Sequence, residues 1–371
     1  FRIDGTIIAE GTAEDSIIFT AADTELGWNR FLFSNVNESN DTSRFTYCNI
    51  EYGKPVNNVG LGTNKDGGAF FIYNVKKLNI SHCRIHHNDA LNAALYISGS
   101  KVNLSNCKIF SNPDYAVMLV ESNDSSRVIN NEIFLNSSSG IYSGYGTRSE
   151  IIGNLIHNNG GWAVYSYIGQ STYINNTFTD NEDGGINFRN ASAGSLYNNI
   201  IYGNGVTQIR LEMTCDPDFF YNNIEGGVTG FTGDGSGAEF SGIDSATMDL
   251  DPQFVNTDLH LYGLLEGSPC LDAGTPGVNG LHLPESDFEG NERIINGRID
   301  MGAVEGPHDP VSIEENPVEI SHSFRLEQNY PNPFNPATTI TYEIPHTSMV
   351  RITVFNSLGQ KLKVIMNEEK T

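Results

Sequence analysis

Basic side chains are scarce in this chain. Lys and Arg number 21 against 45 Asp and Glu, for a formal net charge of −24. A surface so short of cations is not built to grip nucleic acid or an anionic membrane through a broad basic face. Long apolar runs are missing too. No stretch of about 18 apolar residues occurs, so no membrane span is expected. The five Cys include no CxxC pair and no His-rich spacing, which leaves no zinc-type ligand set. No signal peptide is visible, and the opening at Phe1 without Met reads as a fragment or a processed end. Polygalacturonase-like chemistry needs grouped Asp pairs with Gly-His-Gly and Arg-x-Lys strings, and neither string occurs. Paired carboxylates for acid–base work, or several carboxylates beside a Lys or Arg as a calcium-dependent lyase needs, are not apparent within the repeats.

What is present is a phrase that returns eight times: Cys or Asn, any residue, then an apolar residue. Its copies are Cys48–Ile50, Cys83–Ile85, Cys107–Ile109, Asn131–Ile133, Asn154–Ile156, Asn176–Phe178, Asn199–Ile201 and Asn222–Ile224. The apolar member recurs after 35, 24, 24, 23, 22, 23 and 23 residues. Three residues further on, Asn88, Asn112, Asn136, Asn159, Asn181 and Asn204 repeat in turn. Such a period marks a solenoid whose coils bury their apolar faces only by stacking. The long first interval predicts a protruding Gly-rich loop over 54–65. Cys48, Cys83 and Cys107 share the Asn column and read as small buried side chains. A disulfide between Cys215 and Cys270 is allowed but not selected. The Asn are expected to bridge backbone groups of neighbouring coils and to tolerate left-handed corners.

Each coil carries a second strand four or five residues past the later Asn. Alternation gives two inward columns: Phe70, Leu95, Val117, Ile141, Val164, Ile186, Ile209, and Ile72, Ile97, Leu119, Ser143, Ser166, Phe188, Leu211. The outward columns are Phe71, Tyr96, Met118, Tyr142, Tyr165, Asn187, Arg210, and Tyr73, Ser98, Val120, Gly144, Tyr167, Arg189, Glu212. Tyr faces can pack on sugar rings and Arg can clamp a carboxylate. The candidate glycan-binding residues are therefore Tyr96, Tyr142, Tyr165, Tyr167, Arg189, Arg210 and Glu212. The same tyrosines would also suit a purely structural ladder. His82, His86, His87 and His157 are expected at the surface. Asp287, Arg293, Arg298 and Asp300 suggest structural salt bridges, and Asp249 with Asp251 is the only place considered for Ca²⁺. No other cofactor is implied.

Past Ile224 the period dissolves. Asp251-Pro252-Gln253-Phe254, then Ser268 to Gly274, then Asp287, Gly290, Arg293, Gly297, Asp300, Gly302, Ala303 and Glu305 follow. This succession resembles the closing segment of a large group of secreted bacterial β-helix proteins, and segment 12–33 is similar to their opening coils. The resemblance implies an all-β, right-handed parallel β-helix with a pectate lyase-like fold. It also implies that the outward face of the second strand is where carbohydrate-active relatives lay their substrate. The organisation expected is coils over 1–245, a capping segment over 246–305 that closes the last coil, and a Pro- and acid-rich linker over 306–322. The stretch 323–371 carries Asn329-Tyr330-Pro331-Asn332-Pro333-Phe334-Asn335-Pro336, then Val354-Phe355-Asn356 and Leu358-Gly359. It resembles the C-terminal sorting domain of the type IX secretion system, an immunoglobulin-like β-sandwich, here truncated. That implies export by type IX machinery to the medium or outer cell surface. The functional expectation is a secreted polysaccharide-binding protein. The alternatives are a lyase or hydrolase using the same face and a passive adhesin or stalk.

Overall fold

The computed structural model describes residues 1–37, 39–55, 67–121, 126–212, 214–307, 325–326, 342–343, 348–355 and 361–370. The loop expected over 54–65 falls almost wholly outside these residues, as do the 329–336 motif, the Leu358-Gly359 turn and most of the 306–322 linker. The chain divides into two units, Phe1–Val311 and Ser312–Thr371.

In the first unit the described coil strands form three parallel sheets of nine, ten and nine strands, each visited once per coil, and Phe254–Asn256 pairs antiparallel with Leu261–Leu264. The first sheet holds the strands with the outward Tyr and Arg columns, such as Trp162–Tyr167 and Gly184–Arg189. The third holds the repeated Cys/Asn phrases. Between them lies a second sheet of short strands, for example Leu78–Ser81, Val102–Ser105 and Glu150–Ile152. Coils are thus three-sided, where the sequence suggested two strands. The inward columns pair in register, Leu95 with Val117 and Ile141 with Val164. They are fully buried in one continuous core.

The corners explain the missed strand. A single left-handed residue separates second from third sheet: Tyr47, His82, Asn106, Asn130, Gly153, Asn175, Asn198 and Tyr221 all have positive φ, near 50–66°. The left-handed residue therefore sits one place before the ladder Cys or Asn, not on it as expected. The ladder Asn does something else. Asn154 Oδ1 accepts from both the backbone N and the Nδ2 of Asn131, each at 2.9 Å, and its own Nδ2 donates to Val128 O and Asn176 Oδ1. Asn131 to Asn222 and Asn88 to Asn204 form two such buried columns. In the earlier coils Cys takes the place, with Cys83 N donating to Cys107 Sγ at 3.4 Å. All five Cys are free and buried, and Cys215 and Cys270 lie in separate clusters.

The segment expected to close the last coil lies elsewhere. Residues 228–248 do the closing: Phe231 and Phe240 pack on Phe219, and Asp244–Ser245 pairs with the last second-sheet strand. Residues 251–305 fold back along the flank of the solenoid as a strap over the corner of the second and third sheets. Asn130 Nδ2 donates to Ser286 O and Asp287 O, and Asn175 Nδ2 donates to Asp300 O at 2.7 Å. Gly302 N donates to Asn198 O, and Tyr262 Oη donates to Asp180 Oδ2, both at 2.7 Å. Leu281 and Leu283 cover Ile129, Ile152 and Ile174.

The strap is knotted internally by buried charge. Arg293 pairs with Glu305 at 3.1 Å and donates to the carbonyls of Ala303 and Gly302. Asp287 accepts from the backbone of Glu289, Asn291 and Glu305. Arg298, expected in the same network, instead donates to the carbonyls of Gly274 and Ala273. In the second unit the described strands Ser348–Phe355 and Lys361–Lys370 form an antiparallel pair.

Candidate functional site

The outward face of the first sheet changes character along its length. Upstream, Phe71, Tyr96, Met118 and Val120 form a buried apolar cluster, with Leu32, Tyr115 and Tyr142 packed against it. Tyr96 stacks on Phe71 at 5.2 Å and is only 3% exposed, so no sugar ring can reach its face. Of the proposed residues it is the one the fold withholds.

Downstream the face opens. Tyr142, Tyr165, Tyr167 and Arg189 are half-buried and Arg210 is exposed. The register places Tyr142 beside Tyr165, then Asn187, then Arg210. Tyr142 and Tyr165 are near parallel with centroids 5.7 Å apart. Adjacent rungs are only about 4.8 Å apart, so the rings are slipped rather than eclipsed and part of each stays free. The Arg189 guanidinium lies over the Tyr165 ring at 5.7 Å, bonds its hydroxyl and pairs with Glu212. Asn190 Nδ2 donates to Tyr167 Oη at 2.8 Å. Much of the expected ladder is therefore brought together, but Arg189 is already committed to Tyr165 and Glu212. Arg210 has no ion pair among the described residues.

Two aromatic residues on this face were not anticipated, because their strands, Tyr115–Val120 and Trp162–Tyr167, begin two residues earlier than the alternation suggested. Tyr115 meets Tyr142 edge-on at 5.4 Å. Trp162, half-buried, lies over Gly184, where a Cβ would come within 2.5 Å of its ring. Gly144 plays the same part for Tyr142, since a Cβ there would meet the ring at 2.4 Å. The omission of a side chain at these two positions is the signal that could have been read. Asn187, 6% exposed, has an Oδ1 with no hydrogen-bond partner. Beside Tyr115, burial pushes the Asp114 carboxyl up to about 6. Burial, then the neighbouring Tyr145, raises the Tyr142 hydroxyl above the ordinary phenol range.

Of the four histidines expected at the surface, His82 is exposed and His87 half-buried, and the other two depart from expectation. His86 and His157 are 7% and 2% exposed and stand in one third-sheet column with Phe110 and Phe134 stacked between them. Burial drives His86 down to about 3, so it is neutral. Its rings and partners are used in packing: Nε2 bonds Asn49, and His157 lies against Tyr262 of the strap. Between strap and solenoid runs a cleft of about 590 Å³ that includes Asp180 and Asp251. Asp251 Oδ1 accepts from Gln253 N. Among the described residues no three His, Cys, Asp or Glu are gathered as a metal would require, and this holds for Asp249 and Asp251. No described helix is long and apolar enough to cross a membrane.

A three-sided solenoid with Asn-ladder corners and one open polar-aromatic sheet defines a parallel β-helix protein. The chain belongs to the right-handed β-helix region family, which matches residues 34–169 and 119–245, more than half its length. Among solved structures it is similar to the crystal structure of pectate lyase Pel9A, at 16% identity over 82% of this chain and 85% of that one, with a TM-score of 0.44. A comparison with curated proteins returns no match.

Proposed function

We propose that this is a secreted or cell-surface β-helix protein that binds extracellular polysaccharide on the downstream half of the first sheet. The observation that carries the reading is the open strip of Tyr115, Tyr142, Trp162, Tyr165 and Arg210. Slipped rings offer partial faces to sugar C–H groups, and Arg210 can take a carboxylate. Affinity electrophoresis through gels containing a panel of glycans tests it. Retardation that survives Tyr142→Ala with Tyr165→Ala removes this face from consideration.

A second reading, a lyase or hydrolase on the same face, has one observation in its favour: the Asp114 carboxyl near 6, suited to proton transfer close to neutral pH. It predicts unsaturated products or new reducing ends, lost in Asp114→Asn. A passive stalk would show neither binding nor turnover. We read residues 323–371 as a type IX sorting domain, immunoglobulin-like and truncated, on the strength of the 329–336 motif and the alternating strands around it. Fusing this segment to a periplasmic reporter in a type IX-competent bacterium, and finding the reporter outside the cell, is the corresponding test.

A further inference from the structure

One stretch of surface runs against the acidity of the rest. On the upstream half of the second sheet, Lys77 and Lys101 each stand just before paired strand positions, Leu78 and Val102. They are therefore one rung, about 4.8 Å, apart. Both are exposed, and neither has an ion pair among the described residues; Lys77 Nζ donates to Asn40 O at 3.2 Å. Arg44, paired with Asn79 one rung upstream, lies on the same sheet and holds one carboxylate, Glu10 at 2.7 Å. Asp41 is exposed at the rim. Between the cations the outward columns carry amides, Asn79 beside Asn103, and hydroxyls, Thr46, Ser81 and Ser105 in line.

In a chain of net charge −24, a flat strip of cations, amides and hydroxyls is a local reversal of sign. Its apolar content is also unusual, because the hydroxyl column becomes Ile129, Ile152 and Ile174 as soon as the strap begins. The upstream strip is thus finished for water and polar ligands. We propose that it is a second binding site, separate from the first-sheet face, for a linear acidic polysaccharide. Anionic groups would sit on Lys77 and Lys101, with sugar hydroxyls on the amides and hydroxyls between. One charge per sugar matches a few cations spaced by rungs. Duplex nucleic acid, with one charge per roughly 1.7 Å, would meet the surrounding carboxylates.

The experiment uses the full chain in affinity gels containing polygalacturonate, chondroitin sulfate, or neutral dextran, and a 20-base-pair duplex in a mobility shift, at low and moderate salt. The expected result is salt-sensitive retardation by one or both acidic glycans and not by dextran. It should weaken on the order of tenfold in Lys77→Glu with Lys101→Glu, and by less in the Gln pair. Both positions are exposed, so circular dichroism should be unchanged. Four results overturn the proposal: no retardation by acidic glycans, retardation indifferent to salt, retardation unchanged in the Lys variants, or duplex bound in preference to glycan. Retardation lost in Tyr165→Ala with Arg210→Ala but not in the Lys variants would likewise overturn it while sparing the first-sheet reading.

Discussion

The two long outer faces of this solenoid change character at the same level and in opposite senses. On the second sheet the outward column runs Thr46, Ser81, Ser105, then turns to Ile129, Ile152 and Ile174. On the first sheet it runs Phe71, Tyr96, Met118, then turns to Tyr142, Tyr165, Asn187 and Arg210. The inward columns show no comparable switch of polarity, apart from Ser143 and Ser166. Inward positions answer to the stacking of coils, which is the same everywhere. Outward positions answer to whatever lies over that stretch, and so they report where the surface is covered and where it is free. The strap covers the downstream second sheet, and the downstream first sheet is left open.

The comparison breaks most severely if the covered column is made to look like the open one. Ile152 is fully buried, with Leu281 and Leu283 against its cluster. Ile152→Asp puts a charge under the strap and should cost about 4 kcal/mol or more, with protease cleavage appearing within 251–305. Arg293→Ala attacks the strap from within. It leaves the buried carbonyls of Gly302 and Ala303 without their donor, and should cost about 3 kcal/mol by urea denaturation.

The strap should also respond to pH. Burial, opposed by Arg293 and aided by Asp300, raises the Glu305 carboxyl to about 8 from its ordinary 4.5. The folded state therefore holds this proton more tightly than the unfolded chain does. Its stabilising contribution is complete below about pH 4.5 and is lost as pH rises through 8. Urea midpoints measured between pH 5 and 9 should fall with pH, and Glu305→Gln should flatten that slope. A slope unchanged in Glu305→Gln would assign the pH dependence to another group, Asp300 among them.

How far the fold was legible follows from the same distinction. The period, the inward columns and the ladder Asn all come from coil-to-coil stacking, which imprints itself on the sequence at every turn. The second sheet was hidden because a single left-handed residue, such as Asn130, separates it from the third; Val128 to Ile133 reads as one strand. The strap was misplaced because its contacts bridge more than a hundred residues, Asn175 to Asp300 for instance, and leave no period. The open face was half legible. The Tyr and Arg columns follow from alternation, whereas the burial of Tyr96 and the arrival of Tyr115 and Trp162 depend on neighbours and strand starts that alternation does not encode.

The smallest expected effect is the sharpest control on the comparison. Ser105 occupies the same outward column as Ile152, two coils upstream of it, and is not part of the cluster that Leu281 and Leu283 cover. Ser105→Asp makes the chemical change of Ile152→Asp in kind, a carboxylate on the outer face, but leaves that carboxylate in water. Its stability cost should stay within about 0.5 kcal/mol. The substitution also puts negative charge in the hydroxyl column of the proposed strip, so it should weaken retention by acidic glycans while leaving the urea midpoint where it was. A large stability loss would mean that the upstream face is covered in solution, and the inversion between the two faces would then not describe the molecule. An unchanged midpoint with weakened retention would tie the polar column to binding and not to folding, because the same side chain would then be neutral to one measurement and decisive for the other.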